Sequence, residues 1–165
     1  MVSKSFCGRM RPRLSLLSLA LYLPLLWPQS GSGHLTVGQP HPVAGKRNQE
    51  VQARIPVAIQ AGFHVNSNTP SDEYLIPLSV TWTSLGALEG GRVTFPKPSL
   101  EKYDFAEKPL SVFTGNIELT ASFKVSAKAT AGPGVATGTL RYQACNNRAC
   151  FPPKNVDIGV PYQVQ

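Results

Sequence analysis

Apolar residues recur at every second position in two long stretches of this chain, and that period constrains its fold more than any other feature. Val51, Ala53, Ile55, Val57 and Ile59 form one set, and Ile117, Leu119, Ala121, Phe123 and Val125 form the other. Successive side chains of a strand point to opposite sides, so each set lies on one face of an extended segment. No window sustains the stripe of an amphipathic helix. Residues 75–82, 92–95, 137–144 and 156–164 add shorter candidates bounded by Gly, Pro, Asn or Ser. About seven short strands with Pro-rich turns between them predict an all-β chain, an immunoglobulin-like antiparallel β-sandwich over residues 51–165. Pro56 and Pro77 fall inside strand-like runs and are expected at edges or bulges, because proline cannot donate to a ladder. Residues 132–138 are glycine-rich, but they lack the Lys-Ser/Thr ending of a phosphate loop and read as a hairpin turn.

The chain has 165 residues, 42% of them apolar and 15% charged. That suits one domain and argues against disorder or a multi-domain enzyme. The formal charge of +7 is unevenly placed. Lys4, Arg9, Arg11 and Arg13 precede residue 34 with no acid among them, and the rest of the chain sets twelve Lys and Arg against nine Asp and Glu. Those twelve are scattered, whereas a surface that tracks phosphates needs a stripe, so no nucleic-acid partner is expected.

The early cations begin a secretory signal. They precede a largely apolar stretch over residues 14–27 and then the small residues Ser30, Gly31, Ser32 and Gly33. The stretch is 14 residues long and contains Pro24, while crossing hydrocarbon takes about 20 apolar residues. Residues 1–33 are therefore expected to be cleaved, leaving a soluble product in the periplasm or otherwise outside the cytoplasm, with no stable membrane insertion. Cys7, Met1 and Met10 would leave with the signal. Residues 34–50 show no apolar period and read as a flexible lead-in.

Two cysteines remain, Cys145 and Cys150, four residues apart. An even count in an exported chain favours a disulfide. So short a loop adds only about 2 kcal/mol through chain entropy, and a domain of this size has core enough to fold without it. Arg148 within the loop and Lys154 just beyond it would favour a thiolate by lowering the thiol pKa. Spacing and composition leave a structural staple and an exchangeable bond equally open. Structural zinc takes four ligands. The mature chain offers two Cys and three His, two of them, His34 and His41, in the lead-in, so neither metal nor cofactor is expected. Hydrolase signatures such as Gly-x-Ser-x-Gly and His-Glu-x-x-His are absent from the sequence.

The run Tyr142-Gln-Ala-Cys145, four residues, then Cys150-Phe-Pro-Pro153 resembles the amino-terminal periplasmic domain of the thiol:disulfide interchange protein DsbD. Gly62-Phe-His-Val-Asn-Ser and the run from Glu73 to Trp82 carry the resemblance upstream, over roughly residues 50–164. It implies an immunoglobulin-like sandwich whose cysteine pair sits on a hairpin and relays reducing equivalents. A membrane reductase supplies them through a thioredoxin-like domain, and the recipients are periplasmic thioredoxin-like partners such as disulfide isomerases or cytochrome c maturation proteins. Cys150 matches the cysteine that forms mixed disulfides, and Cys145 the one that resolves them.

In the family a loop aromatic covers the pair. Phe105, within residues 102–107, is the best match, and Tyr103 is its rival; read alone, Phe105 is equally an ordinary loop anchor. His64 matches a position beneath the pair, where an imidazole could exchange protons with a thiol. Read alone, a strand histidine is a solvated or hydrogen-bonded bystander, and Asn66 has the same standing. Tyr142 and Arg148 complete the surroundings, while Asp72 and Glu73 read as turn solvation. The cysteine spacing is one residue shorter than in the best-known family member. The sequence ends at Gln165 without the membrane helices or the carboxy-terminal thioredoxin-like domain of the family, so a separate membrane reductase is expected. The competing reading is a non-redox immunoglobulin-like protein-binding module whose disulfide only fixes the hairpin tip.

Overall fold

The two alternating runs are neighbouring long strands of one sheet. In the computed structural model, which describes residues 33–165, the chain order is β1 (Leu35–Val37), β2 (Val43–Gly45), β3 (Glu50–Ile59), β4 (His64–Asn66), β5 (Ser79–Ser84) and β6 (Leu88–Thr94). It continues with β7 (Ser99–Glu101), β8 (Leu110–Phe113), β9 (Asn116–Val125), β10 (Gly132–Tyr142), β11 (Ala144–Cys145) and β12 (Lys154–Val164). These make three four-stranded sheets, ordered β1-β3-β9-β6, β2-β12-β10-β5 and β11-β4-β8-β7. Every pairing is antiparallel except β2 with β12. Among the described residues no helix is long and apolar enough to cross a membrane.

The first two sheets are the layers of the sandwich. In β3 burial alternates strictly, and its inner residues face their counterparts in β9, with Ile55 opposite Leu119 and Ala53 opposite Ala121. From the second sheet Ala136, Leu140, Val156, Ile158 and Val160 meet them in one buried cluster. Full burial of such aliphatic side chains stabilises by about 1.5–3 kcal/mol each. The fold is an immunoglobulin-like β-sandwich, as the period-two pattern predicts.

The third sheet, which carries the cysteines, lies across one end. The chain enters it from β3 through a turn at Gly62 (φ 81°) and leaves it for β9 through a turn at Gly115 (φ 63°). At both glycines a Cβ would meet nothing within 4 Å, so backbone conformation rather than space selects the residue. Ile59 N–H donates to the Gly115 carbonyl at 2.8 Å and ties the two turns together. Val65, Phe113 and Ala144 from one face of this sheet join the main core. Leu110 and Val112 on the other face join Leu75 and Ala106 in a second cluster, against which Tyr103 and Cys150 pack.

Several expectations need correction. A third sheet accompanies the two of the sandwich. Residues 34–50 are not a flexible lead-in: they hold β1 and β2, and Leu35 and Val37 are buried opposite Ile59 and Val57. Three-residue strands are too short for a period to show. Residues 132–138 belong to β10 instead of forming a turn. Gly134 and Gly138 lie so close to Tyr162 and Trp82 that a Cβ would fall at 2.3 Å and 2.9 Å from those side chains, which is why glycine occurs inside this strand. Pro77 lies in the loop before β5. Pro56 sits within β3, but it accepts from Gly38 N–H at 2.8 Å, just past the end of β1. A strand residue's nitrogen and carbonyl oxygen point to the same side, so the missing donor faces the place where pairing with β1 has ended. The expected secretory signal lies outside the described residues, apart from Gly33.

Leu140 has no exposed surface and stands between Val156 and Val80 in the ladder. Leu140→Ala is expected to destabilise the domain by about 2–5 kcal/mol through lost burial and a residual cavity, read as a lower urea midpoint at unchanged slope.

Candidate functional site: a disulfide on a hairpin tip

Beyond β10 the chain changes sheets. Tyr142 is buried in the main core, and the next residues pair with β4, Ala144 opposite Val65 and Cys145 opposite His64. The hairpin then closes on itself. Cys145 and Cys150 are bridged partners with Cα atoms 3.9 Å apart, joined as a disulfide. Asn146 N–H donates to the Ala149 carbonyl at 3.0 Å, and Phe151 N–H to the Ala144 carbonyl at 2.8 Å. The Asn146 side-chain oxygen accepts from the N–H groups of Arg148 (2.8 Å) and Ala149 (3.0 Å), a local turn for which asparagine is suited. The two cysteines are not equivalent: Cys145 has no exposed surface, whereas Cys150 is half-buried.

Directly paired strand residues project to the same face, so His64, Cys145 and Cys150 form a row across the sheet. His64 is 2% exposed. The Tyr103 ring stacks on its imidazole at 3.9 Å, and Phe105 stands farther out at 6.5 Å. Tyr103 Oη donates to Glu101 Oε2 at 2.6 Å. Burial pushes the His64 pKa below its ordinary 6.5, and the Glu101 charge offsets part of that. Burial, then the bond to Glu101 and its charge, push the Tyr103 phenol upward. Lys102 Nζ donates to the carbonyls of Ala106 and Glu107, closing this loop on itself.

The structure therefore brings together Cys145, Cys150, His64, Asn66, Tyr103 and Phe105. Tyr103 is the inner ring and shares the small cluster with Cys150, while Phe105 is the outer one, 39% exposed. Arg148 is exposed at the hairpin tip.

Gln143 and His34 were not singled out in the sequence. Gln143 Oε1 accepts from Asn66 Nδ2 (3.0 Å) and Ile76 N–H (3.1 Å), and its Nε2 donates to the Phe151 carbonyl (3.2 Å). One amide thus ties both sides of the hairpin to β4 and to the loop before β5. Its position in the motif around Cys145 was the available signal. His34 stacks on Phe63 at 3.6 Å, with Phe151 5.1 Å from it. That contact had no signal, because residue 34 precedes any periodic segment.

An immunoglobulin-like sandwich with a disulfide at a hairpin tip, one cysteine sealed and the other half-buried, has the architecture of a thiol–disulfide interchange domain. The chain belongs to the family described as Thiol:disulfide interchange protein DsbD, N-terminal, which it matches over residues 34–160. Its fold is similar to the N-terminal periplasmic domain of ScsB from Proteus mirabilis, at 15% identity and a TM-score of 0.58, covering 78% of this chain and 47% of that one. The chain thus spans about half the length of that relative. The Neisseria meningitidis DsbD n-terminal domain in the reduced form aligns at 18% identity and a TM-score of 0.45, over 72% of this chain and 86% of that one. No curated protein matches the sequence.

Two outcomes follow from this geometry. Gln143→Ala strips partners from Asn66 and Ile76 and is expected to cost about 1–3 kcal/mol, measured by urea unfolding of the oxidised protein. His64 binds protons less readily folded than unfolded. Its neutral form is therefore fully compatible with the fold above pH 6.5, and stability declines as pH falls from there toward the lowered native pKa. In His64→Phe the slope of unfolding free energy over that acidic window should flatten.

Proposed function

We propose that this chain is an exported domain that passes reducing equivalents through the Cys145/Cys150 pair to thioredoxin-like proteins. The observation that supports this best is the unequal exposure of the two cysteines, Cys150 partly open and Cys145 sealed. In the reduced pair, the Cys150 thiolate attacks a partner disulfide. A mixed disulfide forms, and the first partner thiolate leaves. The Cys145 thiolate then attacks Cys150 Sγ, which restores the internal bond and releases the second partner thiolate. The partner gains two electrons and two protons, and the pair loses them. A separate dithiol donor, itself served by a membrane reductase, resets the pair. The recipients are periplasmic thioredoxin-like proteins, including disulfide isomerases and proteins of cytochrome c maturation.

Tyr103 and Phe105 act as a two-ring cover that slows, without blocking, the approach of small reagents to the pair and yields to a docked protein. Access of this kind selects partners without altering the sulfur chemistry. Residues 1–33 deliver the chain across the membrane and are removed.

The test is Cys145→Ala, which leaves Cys150 unable to be displaced. Mixed with oxidised thioredoxin-like proteins from the same compartment, it is expected to hold a covalent adduct through Cys150 that dithiothreitol releases. The wild-type bond should have a potential above about −300 mV, the level below which structural bridges lie. No adduct, together with a wild-type bond that resists millimolar reductant, would instead leave a protein-binding module with a fixed disulfide.

A further inference from the structure

Buried polar atoms without partners are rare in folded proteins, and each calls for a physical account. Two occur here on one face of β4, two residues apart: His64 Nε2 and Asn66 Oδ1 have no hydrogen-bond partner among the described residues. Cys145 stands directly across from His64, and it is the sulfur with no exposure. While the disulfide is closed, Cys145 has no proton to give. Once it opens, Cys145 becomes a buried thiol that must ionise before it can attack, and burial opposes that ionisation.

Building on the exchange reading above, we infer that His64 is the general base of the resolving step, its Nε2 taking the Sγ proton of Cys145 as that sulfur attacks Cys150. The Cys145–Cys150 bond forms and the bond from Cys150 to the partner sulfur breaks. The partner sulfur leaves with the electron pair. The partner is reduced, the pair is oxidised, and the imidazolium returns its proton through water to the departing thiolate.

The surroundings suit this role. Paired positions on a sheet place Cβ atoms about 4.5–5.5 Å apart, within reach of an imidazole and a thiol. The Tyr103 stack fixes the ring plane, and burial keeps the imidazole neutral and ready to accept. The titratable groups around it are Glu101 from β7, Tyr103 from the loop that follows, and Cys145 from β11. β8 contributes none, and the loop over residues 71–78 carries Asp72 and Glu73. The Glu101 charge favours the imidazolium once it forms. A groove of about 280 Å³, lined by Gln60, Phe63, His64, Glu101, Tyr103 and Asn147 among others, opens beside the ring and gives the proton a way out.

The experiment follows thionitrobenzoate release when the reduced full chain meets 5,5′-dithiobis(2-nitrobenzoate). The first equivalent reports attack by Cys150, and the second reports resolution by Cys145. His64→Phe keeps a ring against Tyr103, and His64→Tyr provides a second aromatic replacement. In either variant the second release is expected to slow about 100-fold at pH 7, the low end of what a positioned general base supplies, with the first release unaltered. The deficit should shrink above pH 8.5 or so, the ordinary thiol pKa, where hydroxide ionises Cys145 unaided. A second release as fast as wild type, or slowed equally at every pH, would overturn the inference. Should neither variant fold, the 15N resonance of His64 Nε2 in the wild-type chain decides, since reduction is expected to shift it and an unmoved resonance overturns the role. A wild-type chain that releases no thionitrobenzoate at all fails at the exchange reading itself, and the inference fails with it.

Discussion

The strands β4 and β8 of the sheet β11-β4-β8-β7 are buried on both faces, and the site depends on that constraint. A strand covered on one side can shift or fray toward solvent. β4 and β8 cannot, because Val65 and Phe113 are locked into the sandwich core while Leu110 and Val112 are locked into the smaller cluster beneath the loops. The rigid platform sets the position of Cys145 through its pairing with His64, and Cys145 in turn sets Cys150. A reactive pair placed on a hairpin would otherwise inherit the mobility of its tip. Here the turn hydrogen bonds of Asn146 and the amide of Gln143 carry the platform's rigidity outward to the sulfurs.

That arrangement separates two demands that conflict in a single thiol. Meeting a partner requires exposure, which Cys150 has. Completing exchange without leakage to solvent requires shielding, which Cys145 has. The short loop suits both, because four intervening residues add little chain-entropy stabilisation and so leave the bond's redox equilibrium to its surroundings. Those surroundings include the apolar cluster of Leu75, Ala106, Leu110 and Val112 and the Tyr103 ring, with Glu101 held by a hydrogen bond to Tyr103. Arg148, which the sequence offered as a thiolate-stabilising neighbour, is exposed, so solvent and salt screen its charge.

Legibility in the sequence followed exposure. β3, β9, β10 and β12 each have one wet face, so their apolar residues alternate and the sandwich could be read from them. β4 is buried throughout, as is β8, and a strand without a wet face has no alternation to detect. The third sheet was therefore invisible, although its cysteines were not. The same reasoning explains the residues within the site. Cys145 and Cys150 announce themselves by chemistry, and the DsbD-like motifs drew attention to His64, Asn66, Tyr103 and Phe105. Gln143 matters because a loop distant in sequence, at Ile76, and the other side of its own hairpin, at Phe151, both return to it. The strands at 35–37 and 43–45 were misread because their order comes from partners at the far end of the sequence and in β3.

The elements over the pair are tied down unequally. The hairpin base is held from inside by Gln143 and flanked by the His34, Phe63 and Phe151 rings, so opening it would break contacts on both sides. The loop bearing Tyr103 and Phe105 is anchored differently. The bonds of Lys102 to the carbonyls of Ala106 and Glu107, of Ala106 N–H to the Tyr103 carbonyl, and of Tyr103 to Glu101 all lie within the loop or at its junction with β7. In the exchange proposed above it swings as a unit with those bonds intact, giving up the ring stack on His64 and the apolar contacts of Tyr103 and Ala106. A stacked pair contributes about 0.5–1.5 kcal/mol beyond its buried area, and the rings of a docking protein can replace it. In the exchange proposed above, access to the sulfurs is governed by the cover, while the geometry of the sulfurs is governed by the platform.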